Sequence, residues 1–395
     1  MGRILLMLVL VGTMAGLVMG LDSASRAQAP ACSVTPAPDQ SLPAAVEEAD
    51  RGDVVGLETG TWHASVEITR SLTLRGVGDA PSVIRGGDEG EAVITVRGST
   101  PELRLTTLAN LELRDAERGI RVYEDLLTRS ANLIIRSVRV AGTGAAMTIA
   151  GPHVVARVHD SVIEQNASGI FADRNVELRV TDTLIADNGK AGLGLNNGSR
   201  AVVRDSTIRG HTADVTFSDP YAPVFNVGIT VGHVGHLRLM DTVVENNGSA
   251  DAGPVIANAG IVAGVDGAPS EEHRAEEPVR ASLEPVDGRI VGNHLGVLVG
   301  ARTALTMTGS DIRGSASWGL AAFAPACVGG TGPASRTSRP WRGRSTSAAA
   351  TASRATTRRR ASMAAGTRGC IAPEVCPTAR SASPSRARAP QRLTR

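Results

Sequence analysis

The feature that most constrains this chain is a phrase that keeps returning. The stretch "DSVIEQNASGI", Asp160 to Ile170, holds a carboxylate, a hydroxyl, an amide and a glycine within eleven residues. With its Asp as position zero, the phrase recurs from Asn110, Ser137, Asp160, Asp182, Asp205, Asp241, Asp287 and Gly309. The gaps are 27, 23, 22, 23, 36, 46 and 22 residues, so the base period is 22–23. The gap of 36 needs an insertion, and that of 46 fits two periods or one with an insertion.

Each copy carries the same pattern. Two and four residues before zero the positions are mostly aliphatic, as in Ala156 and Val158 or Leu178 and Val180, with polar residues between them. That alternation marks a strand with one buried face. Three residues after zero every copy is aliphatic: Leu113, Val140, Ile163, Ile185, Ile208, Val244, Ile290 and Ile312. Inward positions at −4 and −2 predict +2 in a straight strand, not +3. A one-residue slip exchanges the faces of a strand unless the chain bends there. The Asp therefore sits at or beside a bend. At +6 come Asn166, Asn188, Asn247 and Asn293, with His211 in the fifth copy, and these mark a second bend. Glycines follow at +9 or +10, such as Gly119, Gly169, Gly192 and Gly296. Each period thus holds three short strands and three bends. A strand that buries one face and returns at this period stacks on its own next copy. The predicted fold is all-β, a single-stranded parallel β-helix of about 4.8 Å per coil.

These columns, together with the opening segment Ser41 to Gly78, resemble the right-handed parallel β-helix repeat proteins of the pectin-lyase-like superfamily. The opening segment carries Gly52-Asp53 and Gly60-Thr61-Trp62. The resemblance implies a short N-terminal helix capping the open end of the coil, followed by those two turns. It spans about residues 39–327. It is specific for fold and weak for function, because unrelated chemistries share this fold. Kinship with polygalacturonases would imply N-T-D, D-D, G-H-G and R-I-K motifs, and the sequence has none of them.

Charge divides the chain. Residues 331–395 hold fourteen Arg and one acid, Glu374, whereas residues 1–330 hold 27 bases against 38 acids. The apolar run from Ile4 to about Leu21, with Ala27-Gln28-Ala29 beyond it, reads as a signal peptide over 1–29; a retained anchor helix is the competing reading. Residues 30–40 read as a linker, and 41–328 as the β-helix. After "GLAAFAPACVGG" the rhythm stops. Residues 329–395 read as a disordered basic tail or, preferably, as coding sequence in a shifted frame. Cys32, Cys327, Cys370 and Cys376 fit an oxidising compartment, and their pairing is not legible. The expected location is secreted, periplasmic or cell-envelope, with no membrane span once the signal is cleaved, no nucleic-acid partner for the folded body and a monomeric state.

The chemistry is less marked. Asp160, Asp182, Asp205, Asp241 and Asp287 resemble a carboxylate ladder. A residue repeated in every coil serves the coil, whereas a reaction centre occurs once. They read as bend residues whose side chains bond backbone N–H groups two residues on. Asn166, Asn188, Asn247 and Asn293 read as an internal amide ladder. His233 and His236 lack a third metal ligand, so no metal site is expected. His153, His159 and His211 are candidates for one flank beside Asp160. The insertion His211 to Gly228 gathers Phe217, Tyr221 and Phe225 in a chain with few aromatics. Loops on a rigid scaffold often carry function, so His211, Asp214, Asp219 and Tyr221 are the candidate ligand-binding residues. A second interruption, Gly248 to Arg280, carries the acidic run Glu271, Glu272, Glu276 and Glu277. The expected function is a non-catalytic structural or glycan-binding role at the cell surface, with a polysaccharide or surface glycan as partner. The alternative is a uronate lyase, glycoside hydrolase or epimerase. No cofactor is expected, and calcium enters only under the lyase alternative. The shifted-frame reading predicts that the gene, read in another frame from codons 325–335, restores the β-helix pattern. If neither other frame does so, that reading fails.

Overall fold

A computed structural model describes residues 31–36, 40–86, 92–97, 105–123, 131–212, 226–232, 234–249, 258–264, 281–300, 303–323 and 361–363. The proposed signal peptide, the insertion after Thr212 and most of the basic tail lie outside them.

The chain is a right-handed parallel β-helix of ten coils, from Val54 to Phe323. Each coil adds one strand to each of three columns. The third column is a ten-stranded sheet of its own. The first and second join into one sheet because Leu105–Arg114 and Ala131–Ala141 each run through both. At strand spacing the rod is roughly 43 Å long. The 46-residue gap is one coil, since Val243–Glu245 pairs directly with Arg289–Val291.

A helix, α1 (Leu42–Glu48), covers the first coil. Ser41 is its N-cap, with Oγ accepting from the Ala44 N–H at 3.3 Å. Leu42, Ala45 and Val46 are its buried residues. At the other end Ala361–Met363 pairs antiparallel with Thr303–Met307 of the last coil. Three residues of the basic tail thus lie on the last strand edge of the first column.

The predicted aliphatic columns stack inside. Ile163 pairs with Val140 on one side and Ile185 on the other, and Ile185 pairs with Ile208. Leu113, Val140, Ile163, Ile185, Ile208 and Val244 are fully buried. Ile312, in the last coil, is only partly covered.

The bends have a backbone cause. Asn110, Ser137, Asp160, Asp182, Asp205, Asp241 and Asp287 have φ between +47° and +52°, and Gly309 has +63°. Every position zero is therefore left-handed, and this inserts the one-residue slip. Asp and Asn tolerate that region better than other non-glycine residues. A second left-handed column lies at +5, with Asp115, Gln165, Asp187 and Asn246 at φ between +52° and +56° and glycine in the remaining copies. The second bend thus turns one residue before the asparagines, which point inward.

The hydrogen bonding at the first bend differs from the expectation. Asp160, Asp182, Asp205, Asp241 and Asp287 are exposed. The next residue holds the bend instead. The hydroxyls of Ser161, Thr183, Ser206 and Thr242 donate to the carbonyl two residues back at 2.6–2.8 Å. Ser161 and Ser206 also accept the N–H of Val138 and Thr183 in the preceding coils, both at 3.2 Å. The reason is geometric: a left-handed residue turns its own side chain outward, and the next one points in.

Because Asp182 contributes conformation, Asp182→Gly should leave stability nearly unchanged, while Asp182→Val should cost about 1–2 kcal/mol. Urea unfolding of both variants checks this. Equal midpoints for the two would reject the left-handed account.

Candidate functional site

The second bend builds a buried polar ladder. Asn166 Oδ1 accepts the Thr143 N–H at 3.0 Å, and Asn188 Oδ1 accepts the N–H of Asn166 at 3.1 Å. Asn247 Oδ1 accepts the N–H of His211 at 3.2 Å, and Asn293 Oδ1 that of Asn247 at 3.0 Å. The Nδ2 groups donate to buried carbonyls, Asn188 to Ile163 and Asn293 to Val244. Each amide thereby satisfies backbone groups that no strand can reach.

His211 is a rung of this ladder and offers no surface to a ligand: it is 0% exposed. Its Nδ1 lies 3.1 Å from both the backbone N–H and the carbonyl oxygen of Asn188. The other ring nitrogen, Nε2, is buried without a hydrogen-bond partner. Burial pushes its pKa down to about 4, against a smaller raising effect of the Asn188 backbone hydrogen bond. Asp214, Asp219 and Tyr221, as well as Phe217 and Phe225, lie outside the described residues. His211 is thus not gathered with His153 and His159, and the flank weighed for these histidines beside Asp160 does not form. His159 points outward from the strand Val154–His159. His233 is also outside the described residues. His236 opens the strand His236–Met240, with Nδ1 2.7 Å from Ser282 Oγ. Among the described residues no three His, Cys, Asp or Glu side chains converge as a metal site would require.

The charged surface lies elsewhere, on the outer face of the first strand column. Register places Arg136, His159, Thr181, Arg204 and Met240 in one outward row. Ile134, Arg157, Arg179, Val202 and Arg238 form the next. Every coil from the fourth to the eighth therefore presents an arginine, in one or the other of these two rows. Among the described residues, Glu177 and Glu284 are the carboxylates on the strands of this face, and only Arg238 is within ion-pair distance of one, Glu284, at 3.8 Å. Arg157 donates to Asn132 Oδ1 at 3.3 Å. Among the described residues, Arg136, Arg179 and Arg200 have no carboxylate within ion-pair distance. The second column is different. There Arg139 bridges Glu112 at 2.7 Å and Glu164 at 2.5 Å, Arg85 meets Asp115 at 3.1 Å, and Arg114 pairs with Glu112. The Glu164 hydrogen bond is the main cause that raises the Arg139 pKa.

At the N-terminal end of this face lies a cleft of about 380 Å³, lined by Arg75, Gly76, Ala109, Asn110, Arg136, Ser137 and Asp160. Register sets Ala109 directly between Arg75 and Arg136. A methyl group flanked by two long side chains makes the depression. Asp160 Oδ2 accepts the Ser137 hydroxyl at 2.7 Å across the rim. Sequence reading missed the face and the cleft, because both depend on which coil residue stands above which.

No protein-family model and no curated protein matches the sequence. Among solved structures the chain is similar to the A-module of mannuronan C-5 epimerase AlgE6 from Azotobacter vinelandii, at 17% identity and a TM-score of 0.49, covering 72% of this chain and 73% of that one. It is also similar to an alginate lyase from Paenibacillus sp. str. FPU-7, at 14% identity and a TM-score of 0.44 over 71% and 94% of the two chains. A third likeness is to pectate lyase Pel9A, at 13% identity and a TM-score of 0.38 over 70% and 74%.

The buried imidazole makes a pH prediction. The unfolded chain binds a proton at His211 below pH about 6.5 and the folded chain only below about 4. Its contribution is therefore intact above pH 6.5 and is lost as pH falls toward 4, by up to about 3 kcal/mol. Urea midpoints at pH 7 and pH 4.5 should diverge more in the wild type than in His211→Asn. An equal divergence in both would refute the assignment.

Proposed function

We propose that the protein is an exported right-handed β-helix that binds an acidic polysaccharide along the outer face of its first strand column, without turning it over. One observation carries this reading: arginines that, among the described residues, largely lack carboxylate partners recur in each coil from the fourth to the eighth, on a body in which acids outnumber bases. A rigid band of cations, one per coil over five coils, suits a linear polymer with a carboxylate on each ring. Guanidinium is the side chain best shaped for such groups. The apolar run Ile4 to Leu21 supports export. No helix of the described residues is long and apolar enough to cross a membrane.

A second reading, a polysaccharide-active enzyme of the lyase, hydrolase or epimerase type, draws on the cleft, whose lining includes the Asp160 carboxylate together with Arg75 and Arg136. A lyase would bring calcium into question.

Two measurements test the proposal. A glycan array and a uronate-lyase screen on the mature protein should show binding of polyuronates and no unsaturated product; release of such product would overturn the non-catalytic reading. The Arg157→Glu/Arg179→Glu variant should bind polyuronate at least about tenfold more weakly, and wild-type affinity should fall steeply with salt. Unchanged affinity in the variant would remove the arginine face from the account.

A further inference from the structure

We propose that the last coil of the rod is a self-association surface, and that its partner is a second copy of this chain, joined tail to tail about a two-fold axis through Ile312. The inference is independent of what the first strand column binds.

The apolar column is unfinished at this end. Leu305 and Ile312 are only partly covered, and Leu320 is 41% exposed. One coil back, their register partners Leu283, Ile290 and Val297 are buried. Trp318 is likewise only partly buried, against a small cluster that includes Leu295 and Ala321. Exposed apolar surface is thus gathered where one more layer would cover it.

The strand edges at this end are open, and they accept an antiparallel partner. Asp311–Arg313 pairs with Arg289–Val291, and Leu320–Phe323 with Leu295–Gly300. Among the described residues neither has a strand on its outer side. The remaining strand of the coil, Thr303–Met307, does have one, and Ala361–Met363 runs antiparallel to it. Antiparallel is also the sense in which a two-fold axis across the rod presents a second copy. An axis through Ile312 sets Asp311–Arg313 against itself and Thr303–Met307 against Leu320–Phe323 of the second copy. Ala361–Met363 therefore competes with that copy for one edge and leaves it when the dimer forms. The opposite end is closed: α1 covers the first coil, and the N–H groups of Ser33 and Val34 donate to the Val54 carbonyl at 3.0 and 3.1 Å. Head-to-tail stacking is blocked, so association stops at two.

The charges say why the partner is a second copy. Antiparallel self-pairing centred on Ile312 puts Asp311 opposite Arg313 of the other chain, twice over. Both residues are exposed. Within one chain they already meet at 3.2 Å. Opposite charges directly across a ladder stabilise it, and like charges oppose it. Ile312 meets its own copy and extends the buried column that runs through Ile290. The sequence Asp-Ile-Arg is thus its own complement.

Sedimentation equilibrium of the full chain over a concentration series tests this, together with small-angle X-ray scattering. The wild type should dimerise reversibly, with a longest dimension close to double that of one rod. Arg313→Asp and Asp311→Arg each set like charges opposite one another, and each should weaken the dimer at least about tenfold. The doubly substituted chain regains the complement and should dimerise like wild type. Mixed together, the two single variants should form a heterodimer, which native mass spectrometry resolves. Asp182→Gly, remote from the end, should change nothing. Circular dichroism checks that each variant is folded, and the doubly substituted chain keeps the test open should a single variant unfold. A wild type that stays monomeric throughout refutes the proposal, and its own tail is then the occupant of the end. So does a dimer no longer than one rod, single variants that dimerise as tightly as wild type, or a doubly substituted chain that does not dimerise.

Discussion

Direct superposition of each coil on the next is the constraint on which everything else depends. Parallel pairing in register sets Ile163 over Val140 and under Ile185, and it does the same for every residue of the turn. A repeated side chain therefore becomes a column, and whatever one coil leaves unsatisfied its neighbour must supply. Aliphatic columns answer with dispersion and dehydration. Polar columns answer with hydrogen bonds between coils, in which Asn188 serves Asn166, His211 serves Asn188 and Asn247 serves His211.

The same superposition explains what could be read from the residues. The aliphatic positions at −4, −2 and +3 are chemically uniform, so their period was visible. The bend at zero was also visible, because Asp and Asn dominate it. The left-handed column at +5 was not, since Asp115, Gln165, Asn246 and several glycines adopt one conformation with dissimilar side chains. The first two coils escaped the count because Gly76 stands in the cleft beside Asn110, where a later coil would have Asp or Asn. Their connecting turns share little with the phrase.

One candidate residue, His211, lies inside the coil for a related reason. His211 occupies the asparagine column, and that position alone implied burial. The arginine face was hidden because Arg136, Arg157, Arg179, Arg204 and Arg238 alternate between two outward rows and are spaced unevenly by insertions. Only register brings them onto one surface. The cleft needed still more: it depends on Ala109 lying between two arginines that are far from it in sequence.

One close contact bears on how such a chain can change over generations. A Cβ on Gly192 would stand 2.2 Å from His211 Nε2, and one on Gly228 or Gly260 would stand 2.8 Å from the Nδ2 of Asn247 or Asn293. The glycine is thus required by asparagine as much as by histidine. A coil that had already given up its Cβ opposite an asparagine could take in the larger imidazole in one step. The reverse order is closed, because an imidazole arriving opposite an alanine finds the space occupied. The ladder therefore has room for an imidazole only in a coil whose facing strand carries a glycine.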